Sequence, residues 1–335
     1  MINQNQNQKH FYGLDLLRGI SGYGVAICHF FAFNYNNAFL EYLSFTFVEF
    51  FFVLSGFVLF PQLMRVLDNK KNLLIFYKRR WLRTLPLYFI CLIMISLMFN
   101  KFLTLDFFKY LIFAQDLVPG FLEKNYFPIV WSLSIEEFFY LLFPLVLFFI
   151  SKTNFATKIM YLFIFLVLIK FYFVSFFDST FVRTGTFFRI DAIFLGFLLR
   201  YAYLKFNFYN SIILSLFFTL TYIFLQDFIL DNSNEPLIKF GFVILLQLLS
   251  ASVLIFFLKI EPIFQFTVIK KISTLLSKQT YAVYLTHMIF LYILLDLDFN
   301  ILNKFLLYVA LLFLTSTVSY TFIEKPILDV RPKFL

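Results

Sequence analysis

The sequence predicts an all-α integral membrane protein, and three observations predict it. Of 335 residues, 61% are hydrophobic and only 14% charged, whereas a soluble domain draws about a quarter of its residues from Asp, Glu, Lys and Arg. Mean hydropathy is +0.85. The apolar residues gather into runs close to the roughly 20 that a helix needs to cross a bilayer. A soluble globular fold is excluded.

Ten runs qualify, each bounded by polar or charged residues. The first covers 14–34 and closes at the Asn pair 36–37. The second, 42–62, follows Glu41 and stops before Arg65. The third, 84–100, begins after Arg83 and ends at Lys101, and the fourth, 135–151, precedes Lys152. A fifth, 157–176, stops short of Asp178, and a sixth, 186–204, ends at Lys205. The seventh, 209–226, meets Asp227; the eighth, 237–258, meets Lys259; the ninth, 279–296, follows Lys278; the tenth, 303–323, ends at Glu324. One further apolar piece, Phe107 to Gln115, is too short to cross and is expected at the interface or re-entering.

Cytoplasmic loops carry the excess of Lys and Arg. With the N-terminus inside, 19 of the 28 Lys and Arg fall on the inner side, Lys9 and Lys152 among them, and seven on the outer; Arg18 and Lys170 stay within spans. Both termini are therefore expected in the cytoplasm. The polar start, residues 1–13, and the charged run after it fit no cleaved signal peptide, so the first span is expected to be retained. No repeat or linker divides the chain, which reads as a single membrane domain over 1–335 with no soluble domain.

The net charge of +9 would in a soluble protein invite nucleic acid; here its placement is topological and no nucleic-acid partner is expected. Cys28 and Cys91 both fall inside predicted spans and offer no disulfide framework. The 56 Phe residues show no spacing of their own and read as lipid-facing bias.

Ionisable residues within spans are costly and usually face a protein or water-filled interior. The first span carries Asp15, Arg18 and His29. Arg18 and His29 are eleven positions apart, so at about 100° per residue they share one stripe, roughly 16 Å apart along the axis. Two readings stand: both line a cavity, or Arg18 snorkels to the inner interface while His29 bonds a neighbouring helix. Glu49, near mid-depth of the second span, needs a partner, with His29 or Arg18 the obvious choice. Its role is either a structural ion pair holding spans one and two together or a direct part in the chemistry at the substrate.

Lys78, Arg79, Arg80 and Arg83 open the third span. Arg80 and Arg83, three apart, face one way and suit a phosphate or pyrophosphate, though basic residues also belong at an inner boundary for topology alone. In the fourth span Trp131 suits an outer interface. Ser134 with Glu137 reads as a capping box, leaving Glu136 free near the outer face. Arg189 and Asp191 again bring charge close to the outer side, and His287 is a second intramembrane histidine that either lines the same cavity or packs. No Gly-rich phosphate loop, HExxH, CxxC pair or GxSxG elbow occurs, and two separated histidines make no metal site.

Taken in order, LDLLRGIS with a histidine eleven after its Arg, VEFFFVLSGF, FYKRRWLRTLPLY, WSLSIEEFFYLLFPL, FRIDAIFLG, YAVYLTH and YTFIEKP resemble the signatures of the type 3 membrane acyltransferase family, from the first span to the last. Such proteins move acyl groups, commonly acetyl, from cytoplasmic acyl-CoA to sugar hydroxyls of extracytoplasmic glycans. The resemblance implies a bacterial inner (plasma) membrane enzyme, with acyl-CoA as co-substrate and a lipid-linked or surface glycan as acceptor. It implies that His29 is the catalytic histidine with Arg18 its companion, that Arg80 and Arg83 serve the CoA end, and that Glu136 matches a family carboxylate. Glu49, Leu16 and Thr286 depart from the usual residues and bear on acceptor choice. Many relatives also carry an extracytoplasmic esterase-like domain; its absence from this sequence implies completion by the membrane domain or by a separate partner.

The mechanism expected on this basis docks CoA phosphates on Arg79, Arg80 and Arg83 and brings the thioester to His29. The acceptor enters from outside near Trp131 and Glu136, with His29 as general base. A covalent acyl-histidine relay is the variant. The rival class is a transporter or flippase using the same charges as a pathway, and a third is a non-catalytic scaffold in glycan assembly.

Overall fold

A computed structural model describes residues 10–150 and 153–335; the first nine residues of the polar start, with Lys9, and Lys152 lie outside the described residues. The described chain is mostly helical and contains no strand, because in a bilayer each backbone N–H and C=O must find its partner within the segment. Its helices are α1 (Tyr12–Tyr35), α2 (Ala38–Asp68), α3 (Asn72–Met98), the short α4 (Leu105–Leu111), α5 (Trp131–Phe148), α6 (Phe155–Phe173), the short α7 (Ser179–Thr184), α8 (Thr186–Ala202), α9 (Phe208–Asp231), α10 (Pro236–Lys259), α11 (Thr267–Leu295), α12 (Ile301–Ser319) and α13 (Lys325–Asp329).

All ten expected spans fall on helices, and eight of these, α1, α2, α3, α5, α6, α9, α10 and α12, are long and apolar enough to cross a membrane. The other two, α8 and α11, carry the polar groups of the interior: Arg189 and Asp191 on α8, and Gln279, Thr280 and His287 on α11, are all buried. Helix α3 starts twelve residues before the expected span, so the whole Arg-rich run is helical. Side chains of Asn37, Thr104, Asp178, Asn207 and Asn300 cap α2, α4, α7, α9 and α12 by accepting a hydrogen bond from a backbone N–H three residues on. Helix α1 borrows its cap from far along the chain: Glu261 accepts from the N–H groups of Tyr12 and Gly13, both at 2.9 Å.

Helices α1 and α2 form the centre, with α11 against α1 and α8 against α2. Both pairs run parallel and both close on small residues, which let backbones approach where lipid gives no hydrophobic drive between helices. On α1, a Cβ at Gly22 would come within 2.7 Å of the Thr280 methyl, and one at Gly19 would strike Leu276. On the second pair, a Cβ at Gly56 would strike the carbonyl of Ile193, and one at Gly196 the carbonyl of Val53. The outermost helix, α9, is 11% buried over its apolar window against 72% for α2. Its Phe217 and Phe224 are exposed, as lipid-facing Phe should be.

Candidate active site

Three cavities lie in succession through the helix bundle. The first, about 390 Å³, opens on the face carrying α4 and the loop after it and is lined by His29, Ser44, Trp131, Arg183, Asp116 and Tyr284, among others. The central one, about 100 Å³, is lined by Arg18, Arg80, Arg83, Glu136, Tyr140 and Tyr281 among others. The third, about 310 Å³, reaches the face where His10 and Phe334 lie and includes Arg18, Arg65, Arg79 and Arg200. Val48 and Tyr284 belong to both the first and the central cavity, and Arg18 and Val58 to both the central and the third. The shared stripe of Arg18 and His29 thus faces this row of cavities, Arg18 in the middle and His29 towards the loop face.

His29 is held between two partners. Its Nδ1 lies 2.9 Å from His287 Nε2, its Nε2 lies 3.0 Å from Ser44 Oγ, and the two rings stack at 5.2 Å. The contact follows from register. Gly22 meets Thr280, and seven residues, two helical turns, further along each parallel helix stand His29 and His287. His287 is fully buried, and its Nδ1 lies 2.6 Å from the carbonyl oxygen of Tyr284. Tyr284 in turn is pinned by its hydroxyl, which donates to the Ile129 carbonyl at 2.9 Å and lies 2.6 Å from Ser132 Oγ.

The central cavity gathers three guanidinium groups around one carboxylate. Arg80 is 9% exposed, lies over the Phe76 and Tyr140 rings, and has a buried Nε without a hydrogen-bond partner. Arg18 donates to Ser277 Oγ at 3.4 Å and stands 3.8 Å from Asp15. Glu136 accepts from the hydroxyls of Ser55 at 2.7 Å and Tyr140 at 2.9 Å and is the one carboxylate facing the three guanidinium groups in this lining. Such a pocket is matched to an anion with several oxygens.

Several expected positions are corrected. Glu136 does not stand with Trp131 at the outer mouth; five residues along the helix it has passed into the central cavity with the arginines. The Ser134–Glu137 capping box does not form, because a 3₁₀ turn over Pro128–Val130 starts the helix earlier. Ser134 Oγ accepts from Gln115 Nε2, and Glu137 accepts from Thr84 Oγ1. Arg79 points away from Arg80 and Arg83: it lines the third cavity, donates to the Pro332 carbonyl at 2.7 Å and lies over the Phe334 ring.

Glu49 pairs neither with His29 nor with Arg18 but with Arg189, both buried. Gly56 and Gly196 sit at the α2–α8 crossing, and Glu49 and Arg189 each lie seven residues before their glycine. Asp191 accepts from Lys170 at 2.8 Å and from Gln247 Nε2 at 3.1 Å. Glu49, Arg189 and Asp191 are at most 3% exposed and line none of the three cavities; with Lys170 and Gln247 they form an ionic layer between α2, α6, α8 and α10.

Sequence reading missed Ser44, Arg183, Tyr140 and Tyr284. Tyr140 is four residues after Glu136 and Tyr284 three before His287, spacings that share a helix face, so both were within reach. Nothing in the sequence brings Arg183 to Trp131, over whose ring its guanidinium lies at 5.5 Å. The short apolar piece after Phe107 ends in the cavity wall: Gln115 is buried, lines the first cavity and donates to the Val130 carbonyl at 3.1 Å. Beside it, burial raises the Asp116 carboxyl to about 7 against the pull of the Arg183 charge. Among the described residues no three His, Cys, Asp or Glu side chains gather as a metal site requires.

A family model described as an acyltransferase domain matches residues 11–324. Among curated proteins, the O-acetyltransferase OatA of Staphylococcus aureus strains NCTC 8325, COL and MRSA252 is 28% identical over 367 aligned positions, covering 95% of this chain and 57% of the relative. The chain therefore spans little more than half the length of those relatives. No solved structure matches it.

Proposed function

This chain belongs to the acyltransferase family whose model covers it, and from that premise we propose that it is a membrane O-acetyltransferase of the bacterial plasma membrane, taking an acetyl group from cytoplasmic acyl-CoA to a sugar hydroxyl of an extracytoplasmic glycan. The proposed topology has ten crossings, with the face of His10 and Phe334 in the cytoplasm and the α4 face outside. One observation carries the reading. Arg18, Arg80 and Arg83 converge on a cavity inside the bundle that holds a single carboxylate, and that cavity adjoins the one lined by His29. Three guanidinium groups facing one carboxylate in a cavity suit an anionic ligand with several oxygens, and a CoA ester supplies phosphates at one end and a transferable acyl group at the other.

In this mechanism the phosphates meet Arg80 and Arg83, with Arg18 beside them, and the pantetheine arm passes Tyr284 to present the thioester at His29. The acceptor enters the larger cavity beside Trp131. Nε2 of His29 takes the proton of its hydroxyl, the oxygen attacks the thioester carbonyl, the C–S bond breaks, and the proton passes to the sulfur to leave CoA as the free thiol. Positioned proton transfer of this kind contributes about 10²- to 10⁴-fold, and holding both reactants in one channel supplies the rest of the advantage. The name of the relatives, O-acetyltransferase, supports acetyl and oxygen as donor group and acceptor atom.

The test uses the chain in lipid nanodiscs with acetyl-labelled CoA and glycan oligosaccharides. The expected result is release of free CoA together with an alkali-labile acetyl ester on the sugar, reduced about 10²- to 10⁴-fold in His29→Ala while acetyl-CoA still binds. Transfer that persists in a folded His29→Ala protein overturns the base assignment. A transporter would release no CoA.

A further inference from the structure

Counting protons on the His29–His287 pair assigns a role to the second histidine. The carbonyl oxygen of Tyr284 can only accept, so its 2.6 Å contact makes Nδ1 the N–H nitrogen of His287. Neither ring has a carboxylate among its hydrogen-bond partners, so a second proton on His287 would be a buried charge with nothing to balance it. His287 Nε2 is therefore the bare nitrogen, and His29 Nδ1, at 2.9 Å, must donate to it. That leaves the lone pair of His29 on Nε2, directed at Ser44 Oγ and the loop-side cavity. Ser44 has one proton for two acceptors, the Glu41 carbonyl at 2.6 Å and His29 Nε2 at 3.0 Å. It can release the imidazole to an incoming hydroxyl without losing its own hydrogen bond.

We infer that His287 is a positioning residue: through the Tyr284 carbonyl it fixes His29 as the Nδ1–H tautomer, aims the Nε2 lone pair at the acceptor hydroxyl, and shares the positive charge when Nε2 takes the proton. This rests on the proposed role of His29 and adds what sets its protonation. A histidine side chain in water favours the opposite tautomer, with the proton on Nε2, which has no lone pair to offer there. The arrangement is the base-and-orienter pair of nucleophilic and acid–base sites, with a neutral imidazole and a backbone carbonyl in place of a carboxylate. The orienter, His287, is fully buried and adds no charge of its own, so the imidazole pair is neutral until the proton moves.

The chain has three histidines, so a ¹⁵N-histidine spectrum of the unmodified protein in nanodiscs resolves the point, with assignment by His10→Ala. The expected spectrum places the proton of His29 on Nδ1 and leaves its Nε2 bare; a proton on Nε2 in the neutral protein overturns the inference. In kinetics, His287→Leu is expected to lower kcat about 10- to 100-fold, the usual scale for losing an orienting partner, with the apparent KM for acetyl-CoA within about twofold. His287→Gln, whose amide oxygen accepts a hydrogen bond, is expected to recover part of the loss. An unchanged kcat in His287→Leu overturns the inference while leaving His29 as base; activity in His29→Ala removes the base itself. If His287→Leu does not fold, the spectrum of the unmodified protein decides.

Discussion

Gly22 of α1 lies so close to Thr280 of α11 that a Cβ on the glycine would come 2.7 Å from the threonine methyl. That contact sets the register of two parallel helices, and two turns further on it delivers His29 to His287 at 2.9 Å. The catalytic geometry proposed for this protein is in this sense made by a glycine far from the chemistry. Four predictions follow the structure outward from this contact.

Gly22→Val is expected to wedge α1 from α11, costing about 1–3 kcal/mol as overpacking does and reducing acetyl transfer more than tenfold, since an ångström of misplacement at a reacting group costs about 100-fold. Gly241→Val, where a Cβ would meet nothing within 4 Å, is the control. Thermal unfolding in detergent and initial rates check both; a Gly22→Val protein as active as the parent would show that the crossing does not set the site.

Arg80→Ala and Arg83→Ala are each expected to weaken acetyl-CoA binding about 10- to 100-fold, the equivalent of a lost charge-assisted hydrogen bond of about 1.5–3 kcal/mol. Lys78→Ala, on the exposed side of the same helix, should change it less than about twofold. Calorimetry in nanodiscs makes the comparison, and equal effects at all three positions would return the run to a role in topology.

Glu49→Ala leaves Arg189 as an uncompensated buried charge and is expected to destabilise the protein by about 3–5 kcal/mol. Removing both charges in Glu49→Ala with Arg189→Met should restore most of the loss. Denaturation of the single and double variants tests the coupling; a double variant no more stable than Glu49→Ala would mean that the pair is not energetically linked.

Burial keeps the Asp116 carboxyl protonated up to about 7 in the fold, against an ordinary value of 3.8. Below pH 4 both folded and unfolded states hold the proton. As pH rises from 4 to 7 the unfolded state releases its proton first, so this residue's contribution to stability falls, and above 7 the loss is complete. Asp116→Asn removes the titration, and its Tm advantage over the parent should grow between pH 5 and 7 and level off by pH 8. A constant difference across that range would show that Asp116 ionises normally.

How much was legible beforehand differs between the fold and the site. Eight membrane-length helices could be read because apolar length is a local property, and the bilayer enforces it on each segment separately. Arg18 and His29 could be placed on one stripe because helical spacing fixes direction without any knowledge of neighbours. Glu49 shows where this stops: the sequence required a partner for it and named two candidates, while the partner in the structure, Arg189, is 140 residues away. Glu136 and Arg79 were misplaced for the same reason. Arg79 is one position from Arg80 and Glu136 five from Trp131, and each interval crosses from one cavity to the next.

By itself the sequence determined that this chain is helical and membrane-embedded, and which of its ionisable groups are too costly to leave facing lipid. The tertiary structure alone decided which of those groups meet. Burial forces a charged or hydrogen-bonding side chain to seek company, but the company available depends on which helices cross and in what register. That is settled by close backbone approach at Gly22 and Thr280 and at Gly56 and Gly196, contacts between residues more than a hundred positions apart.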